Sequence, residues 1–181
     1  MSLRLASSLA IALVGAAALS ACGSMVGPMP AKAGAMLAPT AAIAPNPTRG
    51  DVVFTALAHG VRATGDVRGL TPGTEHGFHI HEKGDCGRDG EAAGGHFNPA
   101  GTPHGMFGAP GSHAGELPSL VADASGAARF DVELHTVSLG TGAANDILGK
   151  ALVVHRDRDD YTTQPSGNSG PRITCAVITK R

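Results

Sequence analysis

His76-Gly77-Phe78-His79-Ile80-His81 carries a period of two in which apolar and histidine side chains take turns. In an extended strand, residues two apart share a face, so Phe78 and Ile80 point one way, into a core, and His79 and His81 the other way. The two imidazoles then lie close enough to share one ion. A lone histidine on a strand is usually a polar surface residue, and a His-x-His pair is a modest signal by itself. Its meaning depends on the chain around it.

The flanking segments are also strand-like. Val52-Val53-Phe54 is β-branched and aromatic. His59-Gly60 reads as a turn, and Val61, Ala63, Gly65 and Val67 then alternate with Arg62, Thr64, Asp66 and Arg68, which completes a hairpin. Phe130, Val132 and Leu134 alternate with Arg129, Asp131 and Glu133, and Ala151–His155 and Ile173–Ile178 form two further strand candidates. No amphipathic helix or internal repeat is evident beyond the first 21 residues. With 26 Gly and 3% aromatic residues, the core must be built from Val, Ile, Leu and Ala, which suits a β-sandwich or barrel. From Lys83 to about Leu120 the chain is rich in Gly, Pro and His and has no period. A loop of that length in a compact domain is uncommon unless it is functional. Metal coordination and a disulfide are the devices that order such a segment.

The chain has nine histidines, and six of them, with one carboxylate, fall on this loop, on the strand before it or at the end of the strand candidate Ala151–His155. His79 and His81 lie on the strand before it. His96 sits in Gly94-Gly95-His96-Phe97-Asn98-Pro99, His104 precedes Gly105, His113 precedes Glu116 by three positions, and His155 closes Leu152-Val153-Val154-His155. Six histidines and a carboxylate exceed the needs of one ion. Imidazole-rich tetragonal sites suit copper and tetrahedral His-plus-carboxylate sites suit zinc, so two adjacent metals is the economical reading.

Residues 1–21 carry a single charge, Arg4, and an apolar run from Leu9 to Leu19. The run is shorter than the about 20 residues a spanning helix needs and reads as a signal peptide. It ends Leu19-Ser20-Ala21-Cys22, which resembles the bacterial lipobox; the alternative is an ordinary secretory signal with Cys22 incidental. Residues 22–48, rich in Ala, Pro, Gly and Met, read as a flexible tether, and 49–181 as the folded domain. With Cys22 lipidated, Cys86 and Cys175 remain as a pair, and an oxidising compartment makes a disulfide the expected state. Lys+Arg 14 against Asp+Glu 15 is near neutral, which argues against nucleic acid as a partner.

HGFHIHEKGDC (76–86), AGGHFNP (93–99), HG (104–105), HAGELP (113–118), ALVVHRDRDDY (151–161) and GNSGPRITC (167–175) together resemble, in order, the copper/zinc superoxide dismutase family and its bacterial periplasmic branch. The resemblance implies an all-β fold, an eight-stranded Greek-key β-barrel with long metal-binding and electrostatic loops. It implies copper bound by His79, His81, His96 and His155, and zinc by His96, His104, His113 and Glu116, with His96 bridging the two ions. Asp159 would accept hydrogen bonds from the outer nitrogens of His79 and His104, and His76 would bond backbone beneath the site. Arg172 would bind superoxide and His96 would carry a proton. Cys86 and Cys175 would tie the loop to the last strand. The implied setting is the periplasm, with Cys22 anchored by lipid, most simply in the outer membrane. The partner is the superoxide anion, and the chain is a homodimer or a monomer.

Some positions depart from the family pattern. Glu116 stands where the family has Asp, Pro171 precedes Arg172, and Ala176 follows Cys175 where Gly is usual. The first hairpin looks shortened, because Gly50 runs almost directly into Val52. His59 and His135 lie outside the motif and read as a turn residue and a surface residue. A copper- and zinc-binding lipoprotein without turnover and a tethered adhesion module are the competing readings. Loss of a copper histidine or of Arg172 would favour the first, and both are present; the second leaves the ordered histidines unexplained.

Overall fold

A computed structural model describes residues 29–181. The elements in chain order are β1 (Lys32–Pro39), β2 (Arg49–Ala56), β3 (Val61–Arg68), β4 (Glu75–His76), β5 (Phe78–His81), a short 3-10 helix (Glu91–Ala93), β6 (Leu120–Val121), β7 (Ala127–Leu134), β8 (Ala151–His155), β9 (Arg172–Val177) and β10 (Thr179–Lys180). Seven strands form a curled antiparallel sheet in the order β5-β8-β9-β1-β2-β3-β7, with β10 pairing on β1 as the eighth. β4 and β6 make a separate two-stranded ribbon. The all-β expectation holds, and the sheet wraps one core containing Phe54, Phe78, Ile80, Leu134, Ile147, Leu152 and Ile178. Each such side chain contributes about 1.5–3 kcal/mol by leaving water.

The hairpin expected from alternation forms as β2 and β3, paired from Arg49–Arg68 to Ala56–Val61. Its turn requires Gly60, whose φ of 102° is open to few other residues.

The tether expected over residues 22–48 is corrected for its second half. Lys32–Pro39 is a strand in the middle of the sheet, paired with β2 from Lys32–Thr55 to Leu37–Gly50 and with β9 at Ala38–Cys175. Ala33, Ala35 and Leu37 are buried in the core while Lys32 and Met36 are exposed. The alternation is real, but it is carried by alanines, whose small side chains give little contrast against a Gly- and Pro-rich background. The first hairpin is therefore not shortened, because the strand that precedes it is β1. The connection to β2 is docked as well: Asn46 Nδ2 donates to Ile173 O at 2.6 Å and to Thr40 O at 3.2 Å. Residues 1–28, with the signal segment and Cys22, lie outside the described residues.

The long loop covers the free edge of β5. Ile80 N–H donates to Gly115 O at 2.8 Å, and Ile80 O accepts from Phe97 N–H at 2.7 Å. A side chain at Gly115 would run into Ile80 O and Phe97 N, so glycine is what allows this approach. Phe97 and Leu117 are buried from the loop into the main core. On the outer face of β8, Ala93, Ala151, Val153 and Cys175 form a second small cluster against Cys86. There the expected Cys86–Cys175 disulfide closes, across a sequence separation of 89. In the chain-entropy model a bridge over so long a loop stabilises by about 4–5 kcal/mol.

One core position works against stability. Thr174 is 0% exposed, and its Oγ1 has no hydrogen-bond partner among the described residues. An unpaired buried hydroxyl costs about 1–3 kcal/mol. Thr174→Val, which keeps the shape and removes the hydroxyl, is expected to stabilise by about 1 kcal/mol and to raise Tm by a few degrees in thermal unfolding. A Tm at or below that of the parent would mean that the hydroxyl is satisfied in solution.

Candidate metal centre

Strand alternation and a covering loop bring the histidines together. On β5, Phe78 and Ile80 enter the core, while His79 and His81 face outward, opposite Val153 and Ala151 of β8. His155 ends β8 at a register shift beside Arg172. The loop runs along β5 so that His96 lies beside His81 and Glu116 beside His79. All of these side chains are buried although they lie outside the barrel, because the loop roofs them. Two four-residue groups result. One is His79, His81, His96 and His155, the other is His96, His104, His113 and Glu116, and His96 belongs to both.

Hydrogen bonding sets which ring nitrogen carries the proton. His81 Nδ1 faces Gly94 O at 3.0 Å and His155 Nδ1 faces Gly170 O at 3.0 Å. A carbonyl only accepts, so both Nδ1 atoms are donors and both Nε2 atoms keep lone pairs. Those two Nε2 atoms face each other at 3.3 Å. His79 Nε2–H donates to Asp159 Oδ2 at 2.7 Å, which leaves the lone pair on Nδ1, a buried atom with no partner among the described residues. His96 Nε2 is likewise buried and unpartnered. Four lone pairs thus converge with no proton to separate them, an arrangement that a cation would stabilise.

The second group obeys the same logic. His104 places Nε2 on Asp159 Oδ1 and Nδ1 on Glu116 Oε1, both at 2.9 Å. Burial works to lower its pKa, but the two carboxylates outweigh it and raise it, so the charged ring donates to both and the neutral ring offers a lone pair at Nδ1. His96 Nδ1 and His113 Nδ1 reach the same oxygen at 3.1 and 2.7 Å. The His113 contact is short but lacks hydrogen-bond geometry, and His113 Nδ1 remains without a partner among the described residues. Three imidazole nitrogens and one carboxylate oxygen on a common centre make a donor set that suits zinc, and the four nitrogens of the first group suit copper.

Charge follows burial. Desolvation, reinforced by neighbouring imidazoles, pushes His79 and His81 well below the ordinary imidazole range, and it pushes His155 down to about 4. These rings are neutral at physiological pH, the form that offers a lone pair. Burial works to raise the Glu116 carboxyl, but His96, His79 and His104 outweigh it and hold it below its usual value.

Asp159 is 2% exposed and joins one residue of each group through its two oxygens. Such outer carboxylates fix ring orientation and ligand basicity. His76 lies beneath, with Nδ1 on His155 O at 2.9 Å and Nε2 on Thr74 Oγ1 at 2.7 Å. Above the histidines opens a cleft of about 700 Å³ lined by His81, His96, His155 and Arg172 among others. Arg172 is held by Gly90 O and Gly94 O at 2.7 Å each, and burial lowers its pKa only partly against the charge of Glu91. His59 and His135 are exposed and stand outside both groups.

Gln164 has a role that the sequence did not signal. Its amide clamps the backbone of His104, accepting from His104 N–H at 2.8 Å and donating to His104 O at 2.9 Å. A glutamine in a polar loop has no pattern that marks it. Its partner is 60 residues away.

The family model described as Copper/zinc superoxide dismutase (SODC) matches residues 48–178. The chain is 40% identical to superoxide dismutase [Cu-Zn] 2 of Aquifex aeolicus over 72% of its own length and 81% of that protein. It is 42% identical to superoxide dismutase [Cu-Zn] of Caulobacter vibrioides over 71% of its length and 77% of that protein. Among solved structures, a SOD-like protein from Bacillus subtilis superposes with a TM-score of 0.70 at 37% identity, covering 80% of this chain and 97% of the other. On the match over residues 48–178, together with the two histidine groups built onto β5, β8 and the covering loop, the chain belongs to the copper/zinc superoxide dismutase family.

Proposed function

We propose that the protein dismutes superoxide to oxygen and hydrogen peroxide, using copper at His79, His81, His96 and His155 and zinc at His96, His104, His113 and Glu116. The carrying observation is the pair of buried donor clusters that share His96, one of four converging ring nitrogens and one of three ring nitrogens on a carboxylate oxygen, with His79 Nδ1, His96 Nε2 and His113 Nδ1 lacking a hydrogen-bond partner among the described residues. Copper, when bound, supplies one-electron chemistry in both directions, taking an electron from one superoxide and giving one to the next.

The chain's own residues do the rest. Arg172 keeps a fixed positive charge at the cleft, with its orientation set by two carbonyls, and binds and aligns the small anion. His96 directs Nε2 toward the first group and Nδ1 toward the second. Its Nε2 is the atom placed to hold a proton and pass it to the reduced substrate. Superoxide gains one electron, and one proton from His96 and one from water neutralise the two negative charges of the resulting peroxide. Asp159 keeps the His79 and His104 rings from turning while this happens.

The setting we infer is extracytoplasmic, with lipid on Cys22 as the anchor. The Cys86–Cys175 disulfide supports an oxidising compartment, and the apolar run ending Leu19-Ser20-Ala21-Cys22 supports the anchor.

Four outcomes are expected. Purified protein loaded with copper and zinc will dismute superoxide with cyanide-sensitive activity that scales with copper content, and Arg172→Gln will lower kcat/KM by about 10-fold or more, the usual loss when a charged hydrogen-bonding group is removed. Stoichiometric metal without turnover would instead identify a metal-handling protein. Glu116→Asp, with one methylene fewer between backbone and carboxylate, is expected to tighten zinc in a chelator competition, and equal or weaker retention refutes that. In fractionated bacterial cells, Cys22→Ala should move the protein from the membrane to the soluble fraction, and an unchanged distribution would remove the lipid anchor from the account.

A further inference from the structure

The cleft that receives the anion carries opposing charge on its wall. Glu82 and Glu91 line it together with Arg172. The Arg172 side chain is 13% exposed, and residues 90–94 wrap around it. Gly90 and Gly94 contribute carbonyls that accept from Nη1–H and Nη2–H. Between them, at the first position of the 3-10 helix, Glu91 brings a carboxylate oxygen to 3.6 Å from Arg172 Nε. The carbonyls orient the guanidinium and leave its charge intact, whereas the carboxylate cancels part of it.

Glu91 is not built in as a strut. Its side chain is 61% exposed, and among the described residues Arg172 is its one ion-pair partner, with no side-chain hydrogen bond besides. An exposed carboxylate with one loose partner swings freely on its own side-chain torsions. It is a counter-ion on a short tether, and an incoming anion must either displace it or bind beside it.

We propose that Glu91 is a specificity-determining residue, a tethered competitor for the guanidinium of Arg172 that weakens the cleft's grip on small anions and does so more strongly for those of higher charge. This rests on Arg172 being the anion-binding residue of the proposed function. Coulomb repulsion scales with the charge of the incoming ion, so Glu91 opposes hydrogen phosphate about twice as strongly as a monoanion. A singly charged substrate such as superoxide is thereby favoured over the polyvalent anions that would otherwise occupy Arg172.

The test uses the copper- and zinc-loaded protein at fixed ionic strength and pH 8. Azide, a monoanion, is titrated against the copper absorption band, and phosphate is then measured as a competitor of azide. Glu91→Gln is expected to tighten azide by about two- to fivefold, the range that an exposed ion pair supports, and phosphate by a larger factor. The gain should vanish in a background of Arg172→Gln, since it acts through that guanidinium. Azide affinity that is unchanged or weaker in Glu91→Gln, or phosphate gaining no more than azide, overturns the proposal. Arg172→Gln binding azide as tightly as the parent would overturn the reading of Arg172 beneath it, and that single variant shows this without reference to Glu91.

Discussion

Buried lone pairs that face one another are the constraint on which the rest of this structure depends. The backbone carbonyls Gly94 O and Gly170 O take the Nδ1 protons of His81 and His155, and the carboxylate of Asp159 takes the Nε2 protons of His79 and His104. These four protons are drawn outward, and the remaining lone pairs of the four rings are turned toward two centres; the single ring proton of His96 lies between the centres, since its Nε2 faces one and its Nδ1 the other. Desolvation keeps His79, His81 and His155 neutral, so protonation does not relieve the crowding among them. The arrangement is unfavourable in itself and favourable around cations, which links metal binding to the ordering of the loop.

That link explains how a long Gly- and Pro-rich segment keeps one conformation. Its backbone pairs with the free edge of β5 through Phe97 and Gly115, its Phe97 and Leu117 side chains enter the core, and the disulfide fastens its start to β9. Gln164 holds the same loop from the opposite side at His104. The metal donors are therefore carried on irregular chain, yet each is held by a strand edge, a core contact or a cross-link. This is the rigid support that a site with fixed donor geometry requires.

The cleft combines two demands. The guanidinium of Arg172 must be oriented, and two carbonyls do this without neutralising it. It must also remain accessible, and it lies on the wall of the same opening as His96 and His155. Glu91 modifies this balance from the rim, where its exposure leaves it free to move.

The strands β3, β5 and β7 were legible in the sequence because polar and apolar side chains alternate on them with strong contrast, and β2 and β8 because they carry short β-branched or aromatic runs. The histidines were legible as metal-ligand candidates from their number, and their division into two groups from the resemblance of the motifs around them to a known family. The pairing of Cys86 with Cys175 followed once Cys22 was set aside. Strand β1 was not legible. Its inward positions are Ala33, Ala35 and Leu37, and alanine buries well while leaving little pattern in an Ala- and Pro-rich stretch; what makes it a strand is pairing with β2 and β9, from residues far along the chain. Nor could the sequence say which nitrogen of each ring faces the metal, that one oxygen of Glu116 meets three of those nitrogens, or that Gln164 and Glu91 act on His104 and Arg172. Periodicity is local and is written in side-chain polarity. Ring orientation, loop clamping and the charge at a cleft come from groups brought within hydrogen-bond or ion-pair range across dozens of residues, and only the folded chain sets those distances.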